Sequence, residues 1–124
     1  MDPREKVTLV LGASSNPERV SYEAVISLRN RGIPVIAVGR RENDIGDVKI
    51  VRGMPVPGTK VHTVTLYMSA ANQVEFYDYI LSLEPERIIF NPGTGNPELA
   101  DMASIRGIEV VERCMLVMLK KGEF

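Results

Sequence analysis

Short apolar segments alternate with longer amphipathic ones along the chain. Residues 7–11 are nearly all apolar and end at Gly12, which is typical of a strand buried on both faces of a parallel sheet. Residues 22–31 then carry apolar side chains at helical spacing, and Gly32 stands where a helix C-terminal cap belongs. With a second strand predicted at residues 33–38, the chain opens as strand, helix, strand.

The alternation continues to the last residues. We predict further strands at residues 48–51, 61–68, 87–91 and 108–111, and helices at 69–83, 96–106 and 115–120. Ser69 is expected to cap the first of these helices, whose buried stripe would be Val74, Tyr77, Ile80 and Leu81. Asn96 and Pro97 are start signals for the next helix. Residues 42–47 read as turn-prone and residues 53–60 as a connecting loop.

This pattern predicts one α/β domain over residues 1–124, with a three-layer Rossmann-like fold. The sheet is expected to be mostly parallel and five- to six-stranded, with right-handed crossovers. Numbering the predicted strands along the chain, we expect the order 3-2-1-4-5.

Composition narrows the function. The 15 Lys and Arg residues against 16 Asp and Glu residues leave a net charge of −1, which argues against a general nucleic-acid or anionic-membrane binder. The only histidine, His62, and the only cysteine, Cys114, cannot build a zinc cage, and one cysteine cannot form an internal disulfide. No apolar run is long enough to span a membrane, and the charged start does not resemble a signal peptide. We therefore expect a cytoplasmic protein.

In such folds a ligand binds beyond the carboxyl ends of the strands. After the first strand, residues 12–21 begin a turn of small side chains that would let backbone amides approach a phosphate at a helix N-terminus. A well-capped turn without a ligand explains the same residues. The turn is not a Walker A loop, and it departs from G-x-G-x-x-G because Ser14 and Pro17 stand where glycines would.

After the second strand comes Gly39, followed by Arg40 and Arg41. A site for NAD would place an acidic residue here, whereas two arginines favour a ribose that carries a phosphate, as in NADP and coenzyme A. A pair of solvated surface arginines is the alternative.

The next turns lie on the same edge of the predicted sheet: Tyr67, Met68 and Ser69, and then Asn91, Pro92 and Gly93. Together with the arginine pair, they suit a long ligand with several negative charges and a polar tail. Turn geometry that needs a positive φ also accounts for the glycine.

At this point the chain resembles the stand-alone CoA-binding domain proteins, which are similar to the N-terminal CoA-binding domain of the succinyl-CoA synthetase α subunit. Residues 12–19 resemble the G-A-S-x-x-P-x-R opening of that family. The resemblance covers nearly the whole chain, including residues 32–38, 91–93 and 112–115. It implies a Rossmann-like fold that binds coenzyme A.

The resemblance also implies roles for single residues. Those expected to form the phosphate cradle are Gly12, Ala13, Ser14, Ser15, Pro17 and Arg19. Asn91, Pro92 and Gly93 would lie along the pantetheine arm. The chain departs from many relatives at Gly39-Arg40-Arg41, where they have Asn-Pro, and at His62 and Tyr67-Met68.

The only histidine and the only cysteine each have a structural and a chemical interpretation. His62 begins its strand, at the end opposite the ligand, and is expected to be structural. Cys114 is either a buried small hydrophobe or a thiol that forms a mixed disulfide with CoA. Tyr22, Tyr77 and Tyr79 are expected to pack rather than to stack on adenine.

We therefore expect a non-catalytic module that binds CoA or an acyl-CoA and uses no metal. The alternative is an NADP-binding oxidoreductase or sensor domain. A small acyl-transfer or hydrolytic enzyme has no nucleophile–base pair at the ligand edge, although Glu18 and Glu112 leave carboxylate bases open. A homo-oligomer and a catalytic partner protein both stay open, and neither nucleic acid nor membrane is an expected partner.

Overall fold

The computed structural model describes residues 1–124. Its seven-stranded sheet has the order β3-β4-β2-β1-β5-β6-β7. The strands are β1 Thr8–Leu11, β2 Val35–Val38, β3 Asn43–Ile45, β4 Val48–Val51, β5 Thr63–Leu66, β6 Arg87–Phe90 and β7 Glu109–Val111. Only β3 is antiparallel to its neighbour. Every residue of β1, β5 and β6 is buried, as expected for the centre of a parallel sheet.

Helices cover both faces of the sheet. They are α1 Val20–Asn30, α2 Ala70–Gln73, α3 Tyr77–Ser82, α4 Pro97–Ile105 and α5 Met115–Lys120, with 3-10 turns at Pro3–Glu5 and Val74–Phe76. The apolar sides of α1 and α5 share one core with Val10 and Ile89, while α3 and α4 share the other with Leu9 and Ile88. None of the helices is both long enough and apolar enough to cross a bilayer.

The predicted order of the five central strands agrees with the observed β4-β2-β1-β5-β6. The predicted strand count was too low, because residues 43–45 form β3 instead of a turn. Gly46 and Asp47 make a two-residue connection that pairs Ile45 with Val48 in a hairpin. Only Ile45 of β3 is buried, so a strand this short leaves no hydrophobic alternation to detect.

The helix predicted over residues 69–83 is also corrected. It is interrupted by the 3-10 turn between α2 and α3, and Val74 is exposed rather than buried. Gln73 occupies the interior instead, because its side chain hydrogen-bonds to two backbone carbonyls. Ser69 precedes the helix, but its side chain makes no capping hydrogen bond. By contrast, Asn96 caps α4 as predicted, accepting a hydrogen bond from the Leu99 amide at 3.3 Å.

Candidate ligand cleft at the carboxyl ends of the strands

The cleft lies where the strand order reverses. From β1 the chain moves outward through β2 and β4, then returns to β5 on the other side of β1. An open crevice is expected at this point in doubly wound sheets. A cleft of about 1320 Å³ occupies it, and its walls come from the residues that follow β1, β2, β4, β5 and β6. We call this set of turns the rim.

Two glycines let the turns of the rim touch. Gly12 has a φ of 97°, and a Cβ there would lie 2.8 Å from the Tyr67 carbonyl oxygen. A Cβ on Gly39 would collide with the Ala13 carbonyl. The turn after β1 is therefore in backbone contact with the turns after both of its neighbours, which only glycine permits at these positions.

The turn after β1 and the start of α1 leave backbone amides without partners. The Gly12 and Ala13 amides both donate to the Val38 carbonyl at 2.9 Å. In contrast, the amides of Ser14, Ser15, Val20 and Ser21 have no hydrogen-bond partner in the chain, and all four residues line the cleft. Arg19, at the N-cap position of α1, supplies no capping side chain. This end of the 11-residue helix thus keeps its donors and its positive dipole available to an anion.

Side chains hold this turn in shape. The Ser14 hydroxyl accepts from the Asn16 amide at 3.1 Å, and the Asn16 side chain accepts from the Glu18 amide at 3.0 Å. Asn43 of β3 donates to the Ser15 hydroxyl at 3.0 Å. The added strand β3 therefore braces the turn from the side.

Four arginines surround the cleft without partners. Arg19, Arg40, Arg41 and Arg52 all line it and are all exposed. The arginine side chains that bond within the chain are different ones: Arg4, Arg29, Arg31, Arg87 and Arg113. The cleft also contains two carboxylates, Glu18 and Glu75, so its excess of positive charge is two. Guanidinium groups in this setting suit a phosphorylated ligand.

A buried polar network joins the turns after β5 and β6. Gln73 donates to the carbonyls of Met68 and Thr94 at 2.9 and 2.8 Å. Asn96 donates to the Gln73 side chain at 2.9 Å and to the Tyr77 hydroxyl at 2.8 Å. Since Gln73 is fully buried and every bond is made inside the protein, this half of the rim is rigid before any ligand arrives.

The structure brings most predicted site residues together. Those in the cleft wall are Gly12, Ala13, Ser14, Ser15, Arg19, Gly39, Arg40, Arg41, Tyr67, Met68, Ser69, Pro92 and Gly93. Pro17 and Asn91 are not in the wall. The Asn91 side chain is buried, donates to Thr65 and Leu66, and accepts from the Met115 amide at 2.8 Å. It anchors α5 to the sheet, and a role for it in binding stays a prediction.

Tyr67 belongs to the cleft wall. The hydroxyl is buried without a hydrogen-bond partner of good geometry. Burial raises the pKa of this phenol, and the nearby Thr65 hydroxyl offsets the rise only in part. The phenol of Tyr67 is therefore neutral at physiological pH.

Sequence reasoning missed the residues after β4 and those on the helical segment after β5. Arg52, Gly53 and Met54 line the cleft, as do Glu75 and Phe76. The rule that ligands meet the residues just after each strand applies to β4 as well, and it identifies Arg52. Nothing in the sequence indicated Phe76, which lies in the 3-10 turn that interrupts the predicted helix.

The remaining candidates lie elsewhere. His62 precedes β5, at the opposite end of the strands, as predicted. Burial lowers its pKa, and the neighbouring charges of Arg87 and Lys6 lower it further. Cys114 is half-buried at the start of α5 and is not in the cleft wall. No group of three or more His, Cys, Asp or Glu residues is arranged to hold a metal ion.

The chain is similar to known proteins in sequence and in fold. The chain matches the CoA binding domain family over residues 6–120. A crystal structure of an uncharacterized protein is 47% identical, with a TM-score of 0.91, over 96% of this chain and 98% of that chain.

More distant solved structures share the fold. A protein from Thermus thermophilus is 24% identical, with a TM-score of 0.86, over 97% of this chain and 91% of its own. A hypothetical protein from Pyrococcus horikoshii OT3 is 24% identical, with a TM-score of 0.82, over 95% and 83%. No curated protein matches. Because the family match spans nearly all of its length, the chain belongs to the CoA binding domain family.

Proposed function

We propose that this protein binds coenzyme A in the cleft as a non-catalytic module. The observation that carries the proposal is the coincidence of two anion-binding features in one cleft. Partnerless amides of the first turn and of α1 lie in the same walls as the unpaired arginines. Coenzyme A carries a pyrophosphate and a separate ribose phosphate, so it needs two such features a short distance apart.

The strand order gives the ligand a direction. The pyrophosphate fits the turn after β1, where Ser14 and Ser15 have free amides. The 3′-phosphate fits the side of β2 and β4, where Arg40, Arg41 and Arg52 lie. With the phosphates in these positions, the pantetheine arm would extend across β5 to Pro92 and Gly93 after β6. From β4 to β6 there are four strand spacings, roughly 19 Å, which suits an extended ligand.

NADP is the competing ligand, because Arg40 and Arg41 suit its ribose phosphate equally well. The first turn favours CoA over a dinucleotide. Pro17 occupies the position of the third glycine of G-x-G-x-x-G, where a dinucleotide fold packs its helix closely on the strand. The absence of a nucleophile–base pair among the rim residues argues for binding without chemistry.

Titration calorimetry and thermal shift with CoA, dephospho-CoA, NADP and NAD test the proposal. We expect CoA to bind most tightly. At 100 times its dissociation constant it should stabilise the fold by about 2.7 kcal/mol. Dephospho-CoA should bind more weakly, and NAD should give no shift. Stabilisation by NADP without stabilisation by CoA would overturn the proposal in favour of a dinucleotide-binding domain.

A further inference from the structure

A second, smaller hollow continues the cleft past β6. It has a volume of about 310 Å³ and shares Pro92 and Gly93 with the cleft. Its other walls include Gly95 and Asn96 after β6, and Glu112 and Arg113 after β7. Since β7 is the next strand beyond β6, this hollow is the next position along the rim.

The direction proposed for CoA makes the hollow the place where the thiol end emerges. The arginines lie at the β2 and β4 side, the free amides at β1, and the arm crosses β5 toward β6. An acyl group attached to the thiol would therefore be the part that extends beyond Gly93. We infer that the hollow receives the acyl group of a short, neutral acyl-CoA. This inference rests on the proposed function.

The walls of the hollow decide the acyl class by charge. Arg113 is paired with Glu123 at 2.7 Å, and the Asn96 side chain already bonds Gln73 and Tyr77. Glu112 is exposed and has no ion-pair partner. A carboxylate on the acyl group would face this negative charge without a free cation to receive it. A neutral acyl group avoids that repulsion.

Size and lining decide the acyl length. The volume lies near the lower limit for ligand pockets. Phe90 is the one large apolar side chain in the wall, so a long chain would find little apolar surface beyond its first carbons. The hollow therefore suits a few carbons and not a fatty chain.

Titration of the purified protein with CoA, butyryl-CoA, malonyl-CoA and decanoyl-CoA tests the inference. Each buried methylene strengthens binding by roughly fourfold. We expect butyryl-CoA to bind about fivefold more tightly than CoA. This gain corresponds to burial of little more than one methylene group, with the rest of the acyl chain exposed. Decanoyl-CoA should gain nothing over butyryl-CoA, and malonyl-CoA should bind more weakly than butyryl-CoA. Equal affinity for CoA and butyryl-CoA, or a steady gain up to decanoyl-CoA, would overturn the inference.

Gly95 allows the hollow to be filled without backbone strain. A Cβ there would meet no atom within 4 Å, and its φ lies outside the left-handed region. In Gly95→Leu the ratio of the CoA to the butyryl-CoA dissociation constant should fall to about one, with Gly95→Ala intermediate. Gly58→Leu, at a glycine equally open and outside the walls of both cavities, should keep the wild-type ratio. A wild-type ratio in Gly95→Leu would exclude the hollow. A failure of CoA itself to bind would instead overturn the proposed function.

Discussion

Cationic side chains lie at both ends of the parallel strands, but in different surroundings. At the rim, Arg40 and Arg41 are exposed and have no partner in the chain. At the amino ends of β1, β5 and β6 lie Lys6, His62 and Arg87, next to Phe124; we call these four residues the basal cluster. Here Lys6 and Arg87 bond to protein groups, although the Nη2 nitrogen of Arg87 is buried without a hydrogen-bond partner.

Burial, hydrogen bonds and stacking describe how the protein holds these side chains. Arg87 is 8% exposed, donates to the Thr63 hydroxyl at 2.8 Å, and stacks 4.3 Å from the centre of the Phe124 ring. Lys6 donates to the Phe124 backbone oxygen at 2.6 Å. Burial lowers the pKa of both Lys6 and Arg87. The basal cations are thus partly or fully covered by the protein, whereas Arg40 and Arg41 are left in water. Mutations at the rim should therefore change CoA binding, and mutations in the basal cluster should change stability.

Gly12→Val should break the rim most severely. The new side chain would meet the Tyr67 carbonyl and would require a φ of 97° that valine does not adopt. We expect a loss of about 3 kcal/mol in the free energy of unfolding and no detectable CoA binding. Urea denaturation and calorimetry measure the two effects. Gly58→Val is the control, and wild-type behaviour of Gly12→Val would contradict the close contact between the turns.

Arg40→Ala combined with Arg41→Ala separates binding from stability. We expect CoA affinity to fall about ten- to a hundred-fold, with stability within about 0.5 kcal/mol of wild type. The preference for CoA over dephospho-CoA should vanish. Arg106→Ala, at an exposed arginine outside the cleft, should change neither quantity. Survival of the preference in the double variant would assign the 3′-phosphate to Arg52 or Arg19.

Arg87→Ala should have the opposite effect. It removes the hydrogen bond to Thr63 and the stacking on Phe124, so the free energy of unfolding should fall by about 2 kcal/mol. The dissociation constant for CoA, measured well below the melting temperature, should stay at its wild-type value. A large loss of affinity in Arg87→Ala would contradict the separation of the two ends.

Glu18→Gln should raise the positive potential of the cleft. Glu18 is an exposed carboxylate in the cleft wall, just before α1, and it opposes the positive potential there. Its removal should strengthen CoA binding about two- to threefold at low salt, because exposed charges interact weakly and are screened. The gain should disappear at high ionic strength. Glu84→Gln, outside the cleft, is the matched control.

His62 should give the basal cluster a small dependence on pH. The pKa of its imidazole is below the ordinary value of 6.5 in the folded protein, so the unfolded chain binds more protons between the two values. The contribution of neutral His62 to the free energy of unfolding is therefore fully present above about pH 6.5, and it is lost as the pH drops toward the folded pKa. Denaturation between pH 7.5 and 5.0 should show a slope that His62→Gln flattens. The dissociation constant for CoA should be the same in wild type and His62→Gln over this pH range.

Hydrophobic patterning was enough to predict the central sheet. Residues 9–11 and 88–90 are apolar without interruption because β1 and β6 are buried on both faces. The pattern failed at β3, where one buried residue carries no period, and at Val74, where the buried Gln73 replaced the expected apolar contact. Short edge strands and buried polar side chains are decided by their partners, which a local pattern does not contain.

The candidate site was likewise predicted in part from local sequence and in part only from the tertiary structure. Local sequence determined that Gly12, Arg40 and Gly93 each follow a strand, because strand ends are marked by glycine and by the change from apolar to polar residues. The predicted strand order already placed these turns on one edge, but only the tertiary structure showed that Arg52 joins them and that Asn91 turns inward to hold α5. The order of strands in the sheet sets which turns are neighbours, and that order comes from long-range burial of the two helical layers.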